Sequence, residues 1–217
     1  IRNFIMSKLE TNTIDTVSGT STLQVGSTNT STITLGVSGD TINVPSGVTI
    51  ANSGTATGFG GITMADQYRL TTNTTWTTSD TTLTAWERAD TDGAGAIGSA
   101  MSVSSGIFTF PSTGTYLIQA QGFVSIANDQ RYNSLTIETT LNNSSYSSAS
   151  AGSQFIQVTE SNYTSGSIYA SFIFNVSDTS NRKVRLTIGA SGTNGNIGGD
   201  TNSNSTAVHF IRLGDST

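Results

Sequence analysis

The sequence predicts an all-β protein in which a fibrous β-repeat shaft precedes an antiparallel β-sandwich of jelly-roll type. Threonine, serine, asparagine and glycine make up about half of the 217 residues, and these residue types favour strands joined by many polar turns. Apolar residues recur at i, i+2 spacing, which is the period of a strand. Charged residues are only 11% and prolines only two, so the composition excludes coiled coils and collagen.

The shaft is expected in residues 11–61, where large side chains are almost absent. Phe4 and Phe59 are the only aromatic residues among the first 61. Short apolar pairs are instead each followed by glycine or proline, namely Leu23 and Val25, Ile33 and Leu35, Ile42 and Val44, and Val48 and Ile50. Such pairs are typical of very short strands in a repeating β-structure. A single copy would leave their apolar edges in water, so we predict that three chains form a trimeric β-prism or β-helix shaft.

Two points about this region stay open at the level of the sequence. A flexible linker rich in serine, threonine and glycine is the alternative to the shaft. Residues 1–10 are expected to form an N-terminal connector, either a short helix or an extended collar. Because the chain begins with Ile1 rather than methionine, we expect it to be a fragment or a processed form of a longer protein.

Residues 62–217 are expected to form a globular head whose strands are longer and alternate clearly. Between Tyr116 and Ile126, for example, one face is apolar and the other is mostly glutamine and serine. The expected strands are 67–71, 82–88, 100–103, 106–110, 116–126, 133–141, 154–160, 167–176, 183–190 and 207–213. Strands at regular spacing with polar turns indicate an antiparallel sandwich of two sheets.

One string within the head resembles a family signature. Residues 106–116 read GIFTFPSTGTY, which is similar to the G-x-F-T-x-P-x-x-G-x-Y signature of the C1q/TNF-like jelly roll. The phenylalanine-containing strand after Ser167, the strand that reads KVRL and the closing strand follow in the order of that family. The resemblance covers about residues 66–217. It implies a C1q/TNF-like head, and such heads are homotrimers.

A second resemblance lies in the shaft. Residues Gly39–Ile50, followed by Gly54–Gly60, are similar to shaft repeats in tail-fibre-like proteins of bacteriophages, especially cyanophages. Such proteins place a fibrous stalk before a globular trimeric tip. The resemblance implies a virion protein on the surface of the phage particle, as a tail or capsid appendage, whose N-terminal end contacts other virion proteins.

Composition argues against several classes of function. The chain has no cysteine and a single histidine, which excludes disulfides, thiolate metal sites and cysteine nucleophiles. That histidine, His209, is expected to pack in the core or at a trimer interface. A net charge of −5 argues against nucleic acid, whose phosphates require clustered basic residues. No run of 18 apolar residues occurs, so we expect no insertion into a membrane.

Three motifs bear on catalysis or metal binding. Residues 93–98 read GAGAIG, but a strand is expected to follow where a dinucleotide fingerprint needs a helix, so we predict a flexible loop. Asp90 and Asp92 match part of a calcium loop whose bidentate glutamate is missing, so a solvated turn is expected. Glycan hydrolysis requires paired carboxylates, and Glu138 and Glu160 are not placed together by the sequence. We therefore expect no enzymatic activity, no metal site and no cofactor.

Aromatic and polar residues in loops are the candidate receptor-binding residues, because rings stack on sugars or protein anchors and neighbouring polar groups hydrogen-bond. They are Asp129, Arg131, Tyr132, Tyr146 and Tyr163. Trp76 and Trp86 are expected to pack at protomer interfaces.

Together these patterns favour a homotrimeric phage fibre whose tip binds a bacterial surface glycan or protein during adsorption. A structural virion appendage without receptor binding, such as a head fibre or decoration protein, is the first alternative. A glycan-degrading tailspike and a bacterial surface adhesin are further alternatives. Loss of adsorption on deletion of the protein would separate the first two.

Overall fold

The computed structural model describes residues 25–26, 28–51, 61–76, 80–158 and 163–217. The chain divides into two units, Ile1–Thr57 and Gly58–Thr217. The predicted connector at residues 1–10 lies outside the described residues, as do the first part of the predicted shaft and Glu160.

The described residues of the first unit contain tight turns and belong to no helix or strand. One turn is closed by hydrogen bonds from Asp40 N to Val37 O (3.0 Å) and from Val37 N to the Asp40 carboxylate (2.8 Å). A second is closed by a bond from Val48 N to Pro45 O (3.2 Å). Gly39 and Gly47 have φ values of +98° and +84°, a conformation that glycine adopts without steric cost. The turns therefore fall where the sequence places glycine and proline.

Between residues 28 and 51 no residue belongs to a strand within the single chain. The apolar side chains of the predicted shaft are correspondingly exposed, from 39% at Val44 to 77% at Val37. A trimeric shaft would pair its strands between chains, and the structure contains one chain. The shaft therefore stays a prediction.

The second unit contains thirteen strands in its described residues. They are β1 Ala65–Leu70, β2 Thr74–Thr75, β3 Thr81–Thr82, β4 Trp86–Arg88, β5 Ser102–Ser104, β6 Ile107–Thr109, β7 Gly114–Ile126, β8 Gln130–Thr140, β9 Tyr146–Ile156, β10 Thr164–Val176, β11 Lys183–Ala190, β12 Gly195–Ile197 and β13 Ala207–Gly214. Every pairing between them is antiparallel.

The strands form two sheets. The seven-stranded sheet has the order β2-β12-β7-β13-β1-β4, and β10 also pairs with β7. The six-stranded sheet has the order β5-β6-β11-β8-β9, and β3 also pairs with β11. This arrangement confirms the predicted antiparallel jelly-roll sandwich of the head.

Two strand predictions need correction. The strand expected at 82–88 is two strands, because β3 pairs with β11 in one sheet and β4 pairs with β1 in the other. The strand expected at 154–160 is β9, which begins eight residues earlier, at Tyr146. Its first half is rich in serine, alanine and glycine and gives no apolar alternation.

Aromatic side chains dominate the core between the sheets. Phe108 is fully buried, and its ring lies 5.3 Å from Tyr68, 5.6 Å from Trp86 and 5.0 Å from Phe210 between centroids. Phe108 comes from the string that resembles the C1q/TNF-like signature. In the same string Tyr116 is buried and donates its hydroxyl hydrogen to Ser112 O (2.9 Å). The signature therefore supplies core residues and the turn between them.

The head has two distinct ends. Residues 61–64 lead into β1 beside the start of β7, since Arg212 N donates to Met64 O (2.9 Å) and Arg212 pairs with Tyr116. We call this the near end. β7 pairs with β10 over its 13 residues, which span about 40 Å at roughly 3.3 Å per residue. The opposite end, the far end, carries the connections β7–β8, β9–β10 and β11–β12.

Candidate functional site

The connections at the far end are held together by hydrogen bonds. Ala127 N donates to Asn194 O (3.0 Å), which joins the β7–β8 connection to the β11–β12 connection. Ser191 Oγ accepts from Arg131 N (2.7 Å) and from Tyr132 N (3.3 Å). The far end is therefore an ordered surface built from several connections.

Asp129 ties a third connection into this surface. Its Oδ1 atom accepts a hydrogen bond from Val158 N (2.7 Å), at the beginning of the β9–β10 connection. Gln130, buried to 1% exposure, donates through Nε2 to Thr193 O (2.9 Å). Polar side chains thus fix the loops from beneath while other side chains stay exposed.

A cleft of about 260 Å³ opens at the far end. Its lining consists of one aromatic ring, two amide side chains, one hydroxyl and two small residues, namely Tyr163, Asn194, Asn196, Thr75, Ala127 and Gly195. Tyr163 is 63% exposed. Behind the cleft the buried ring of Trp76 packs directly against Gly195, so the floor of the cleft is rigid.

Four of the five candidate receptor-binding residues lie at this end. Asp129, Arg131 and Tyr132 stand at the β7–β8 connection and the start of β8, and Tyr163 directly precedes β10. Tyr132 and Tyr163 are 46% and 63% exposed. The structure therefore brings these four residues to one surface, although they come from two separate parts of the sequence.

Tyr146 is not brought to the other four. It begins β9 and pairs with Thr140, near the opposite end of the head. Its ring lies under the guanidinium of Arg185, 4.2 Å from ring centroid to Cζ, and Arg185 in turn donates to Glu138 (2.6 Å). Burial raises the pKa of the Tyr146 hydroxyl. The observed contacts of Tyr146 are thus those of a packed side chain.

Sequence reasoning did not identify Thr75, Asn194 or Asn196. Both amides of the cleft lie in the glycine-rich stretch Gly192–Gly199. A local signal does exist at Asn194, whose φ of +66° is a conformation in which asparagine is enriched. The other members of the cleft come from distant parts of the chain, so no spacing in the sequence could have assembled them.

Both tryptophans pack inside the protomer, which corrects the expectation that they pack at protomer interfaces. Trp76 is 1% exposed and Trp86 is 9% exposed. Trp86 donates its indole hydrogen to Leu83 O (2.7 Å).

A second cavity, of about 420 Å³, has Asp92 of the partial calcium motif in its lining. The rest of the lining comes from β1, from Ala89 and from the loops around residues 91–95 and 202–204. Arg69, only 2% exposed, donates to Glu87 (2.8 Å), Asp90 (2.5 Å) and Thr91 (2.8 Å). Asp90 therefore forms an ion pair with Arg69. Among the described residues no group of three or more histidine, cysteine, aspartate or glutamate side chains could hold a metal ion.

Glu138, one of the two carboxylates considered for glycan hydrolysis, forms an ion pair with Arg185 and is 13% exposed. Glu160 lies outside the described residues. The pairing that hydrolysis requires is therefore not tested by the geometry.

The outer face of the seven-stranded sheet carries an uninterrupted apolar row. Leu117 of β7 lies directly opposite Ile173 of β10 on one side and Ile211 of β13 on the other. Ile173 is 59% exposed and Leu213, farther along β13, is 52% exposed. Aliphatic side chains that meet across three strands form a continuous apolar surface. We call Leu117, Ile173, Ile211 and Leu213 the apolar row.

A second apolar surface lies at the edge where the two sheets meet. β9 and β10 are edge strands of their sheets, and near the near end they leave a groove of about 440 Å³ between them. Leu141, Phe172 and Phe174 provide its apolar lining. Leu141 is 63% exposed. We call this the edge groove.

His209 lies on β13, two residues before Ile211 of the apolar row, and so on the same face of the sheet. Its burial leads to a prediction about the pH dependence of stability. Its β-sheet neighbours on the same face are Gln67 and Gln119. Burial lowers the pKa of His209 below its ordinary value of 6.5, and a hydrogen bond with Gln119 opposes this only in part. Below about pH 6.5 the unfolded chain therefore binds more protons than the folded chain, so stability falls on acidification.

We expect the melting temperature to fall between about pH 7 and about pH 5, and we expect His209→Gln to reduce that fall. Asp178 and Asp200 do not interfere, because hydrogen bonds lower their pKa values below 3.8 and their contributions change only at more acidic pH. Equal pH dependence in both proteins, measured by thermal unfolding monitored by circular dichroism, would contradict the assignment.

Comparison with solved structures identifies the architecture of the head. A crystal structure of murine APRIL at pH 8.5 superposes with a TM-score of 0.50 and 13% identity, over 69% of this chain and 98% of that one. Eiger TNF from S. frugiperda superposes with a TM-score of 0.51 and 14% identity, over 72% of this chain and 96% of that one. The head is a TNF-like jelly roll. At these identities the likeness establishes the fold.

Other comparisons add no family. No protein-family model matches the chain, and the curated proteins contain no significant match. In the part of the chain that the structure describes, no helix is long and apolar enough to span a membrane.

Proposed function

We propose that the chain is a homotrimeric bacteriophage fibre protein and that the far end of its head binds the surface of a bacterial host. The observation that carries the proposal is the apolar surface that one copy leaves in water in each of its two units. Ile33, Leu35, Val37 and Ile42 are 47–77% exposed in the first unit, and Ile173 is 59% exposed in the second. Other copies of the same chain are the simplest partner for these surfaces, because a single assembly would then bury the apolar surface of both units.

The head supports self-association through two surfaces that differ from each other. The apolar row lies on a sheet face, and the edge groove lies between two edge strands. If the row of one protomer packs on the edge groove of the next, the contact is head-to-tail and closes into a ring after a fixed number of copies. Homotrimers are what the resemblance to C1q/TNF-like heads implies, and the TNF-like fold agrees with that number.

The first unit supports the same assembly. Its turns recur at glycine and proline, and residues 28–51 contain no strand within the single chain. Three such segments side by side would pair their backbone groups and bury the apolar side chains between them. The tail-fibre-like repeats in residues 39–60 support the assignment to a phage particle.

The attachment role is supported by the far end. It lies about 40 Å from the residues that lead into the head, and it carries exposed aromatic and polar side chains on ordered loops. Three identical weak sites on one trimer, and several trimers on one particle, raise the overall affinity without strong binding at any single site. This arrangement suits reversible attachment to a repetitive cell surface.

The trimer is tested by sedimentation of the full chain. We expect a single species of three times the chain mass, and we expect Ile173→Arg to dissociate it because a charge would be buried in an apolar contact. Ser104→Arg, on the exposed β5 at the other edge of the six-stranded sheet, is the matched control and should remain trimeric. A wild-type monomer, or a trimer unaffected by Ile173→Arg, would overturn the proposed assembly.

Attachment is tested with the fluorescently labelled full chain on a panel of cyanobacterial strains. We expect trimers to bind a subset of strains and to lose binding on mutants of those strains that resist the phage. Binding to none of the strains would overturn the attachment role and favour the structural appendage.

A further inference from the structure

We propose that the cleft of Tyr163, Asn194, Asn196 and Thr75 binds one uncharged sugar residue of a bacterial surface polysaccharide. The inference rests on the proposed function, since it names the ligand class of the far end. The cleft combines an exposed aromatic ring with two amides and a hydroxyl. An aromatic face packs on the C–H face of a pyranose, and amides both donate to and accept from its hydroxyl groups.

The charge at the cleft selects an uncharged ligand. Among the described residues, the lining contains no lysine, arginine, histidine, aspartate or glutamate. Asp129, which also lies at the far end, already accepts a hydrogen bond from Val158 N (2.7 Å). An anionic sugar would find no cation to pair with in the lining, and a cationic sugar would find no carboxylate. Neutral hydroxyl groups match what the lining offers.

The size of the cleft limits the ligand to one ring. Its volume of about 260 Å³ lies below the roughly 300–1,000 Å³ of clefts that hold drug-sized ligands. A longer glycan would therefore place a single residue in the cleft and extend across the far end, where Tyr132 is also exposed.

The cleft is shaped before any ligand arrives. Asn194 is held at φ +66° by the hydrogen bond from Ala127 N to its carbonyl oxygen (3.0 Å). Asn196 lies on β12, which is paired with β2 and with β7. Trp76 packs behind Gly195 and prevents the floor from collapsing. Little ordering is then required on binding, which favours a usable affinity from few contacts.

Three substitutions separate the contribution of the ring from that of the amide. Tyr163→Ala removes the ring, whereas Tyr163→Phe keeps it and serves as the control. Asn194→Gly removes the amide at a position where glycine accepts the positive φ without strain, so the loop keeps its conformation. Because both residues are exposed, neither change should lower the melting temperature appreciably.

The probes are the methyl glycosides of glucose, galactose, mannose and N-acetylglucosamine, with glucuronic and sialic acid as charged counterparts, in saturation-transfer NMR on the full chain. We expect at least one neutral glycoside to bind. Tyr163→Ala should weaken that binding by about tenfold or more, Asn194→Gly by roughly fivefold, and Tyr163→Phe by no more than about twofold. Binding of charged sugars alone, or neutral binding that Tyr163→Ala leaves unchanged, would overturn the proposal.

The same variants on cells distinguish this proposal from the proposed function. If trimers attach to cells and Tyr163→Ala attaches equally well, attachment stands and the cleft is not the site. If glycosides bind through Tyr163 but no strain is bound, the cleft stands and the attachment role fails.

Discussion

Phe108→Ala is expected to destabilise the head by about 3–5 kcal/mol, the range for truncating a buried phenylalanine. Phe108 has no exposed surface and contacts three aromatic rings, all of them on strands of the opposite sheet. Alanine would leave a cavity between the sheets that these rings cannot fill without moving. The ring contacts add to the loss, since each is worth about 0.5–1.5 kcal/mol beyond burial.

The measurement is thermal unfolding of the full chain, monitored in the near-ultraviolet where the aromatic core contributes. For a domain of this size a loss of 1 kcal/mol lowers the melting temperature by about 2–4 °C, so a drop of roughly 6–20 °C is expected. Tyr132→Ala is the matched control, because it removes an aromatic ring that is 46% exposed. Similar drops in the two variants would contradict the central role assigned to Phe108.

Two long strands of the head, β7 and β10, were predictable because they carry apolar residues at every second position. β7 follows this rule from Tyr116 to Ile126, and β10 follows it from Ile168 to Val176, so their bounds agree with expectation within a few residues. The short strands β2 and β12 were not predictable. Two or three residues are too few to show a period, and these strands are ordered only by their partners.

The division of the segment 82–88 shows a different limit. Leu83 and Ala85 have the spacing of a single strand, but the chain crosses from one sheet to the other between Thr82 and Trp86. Leu83 and Trp86 are both buried by this crossing. The apolar pattern of a sequence indicates that a side chain is buried in the core. It does not indicate which of the two sheets carries that side chain.

The candidate site could be predicted in part, for a topological reason. The strands β7, β8, β9 and β10 run in alternating directions along the sandwich, so the connections between them alternate between its two ends. The β7–β8 and β9–β10 connections therefore share an end, which brings Tyr163 to Asp129 and Arg131, whereas Tyr146 follows the β8–β9 connection at the other end. Thr75 and Asn196 reach the cleft through long-range pairing, which spacing in the sequence does not reveal.

Gly152→Val is expected to destabilise the head by about 3 kcal/mol, the upper part of the usual range for overpacking. Gly152 lies in β9, where the edge strands of the two sheets approach most closely. A Cβ atom there would overlap the carbonyl oxygen of Tyr169 in β10. The obstacle is backbone and not the end of a flexible side chain, so β9 and β10 would have to separate.

Gly95→Val is the matched control, because a Cβ atom at Gly95 meets no atom within 4 Å. We expect Gly152→Val to unfold at lower urea concentration than wild type and Gly95→Val to unfold close to it. If β9 and β10 form the edge on which a neighbouring protomer packs, Gly152→Val should also weaken the trimer in sedimentation. A Gly152→Val variant that is as stable as wild type but dissociated would show that the substitution disturbs the contact between protomers. Equal stability and equal mass in both variants would contradict the close approach of the two sheets. Separation of β9 from β10 would change the edge groove as well as the core, so one substitution links the stability of the protomer to its assembly.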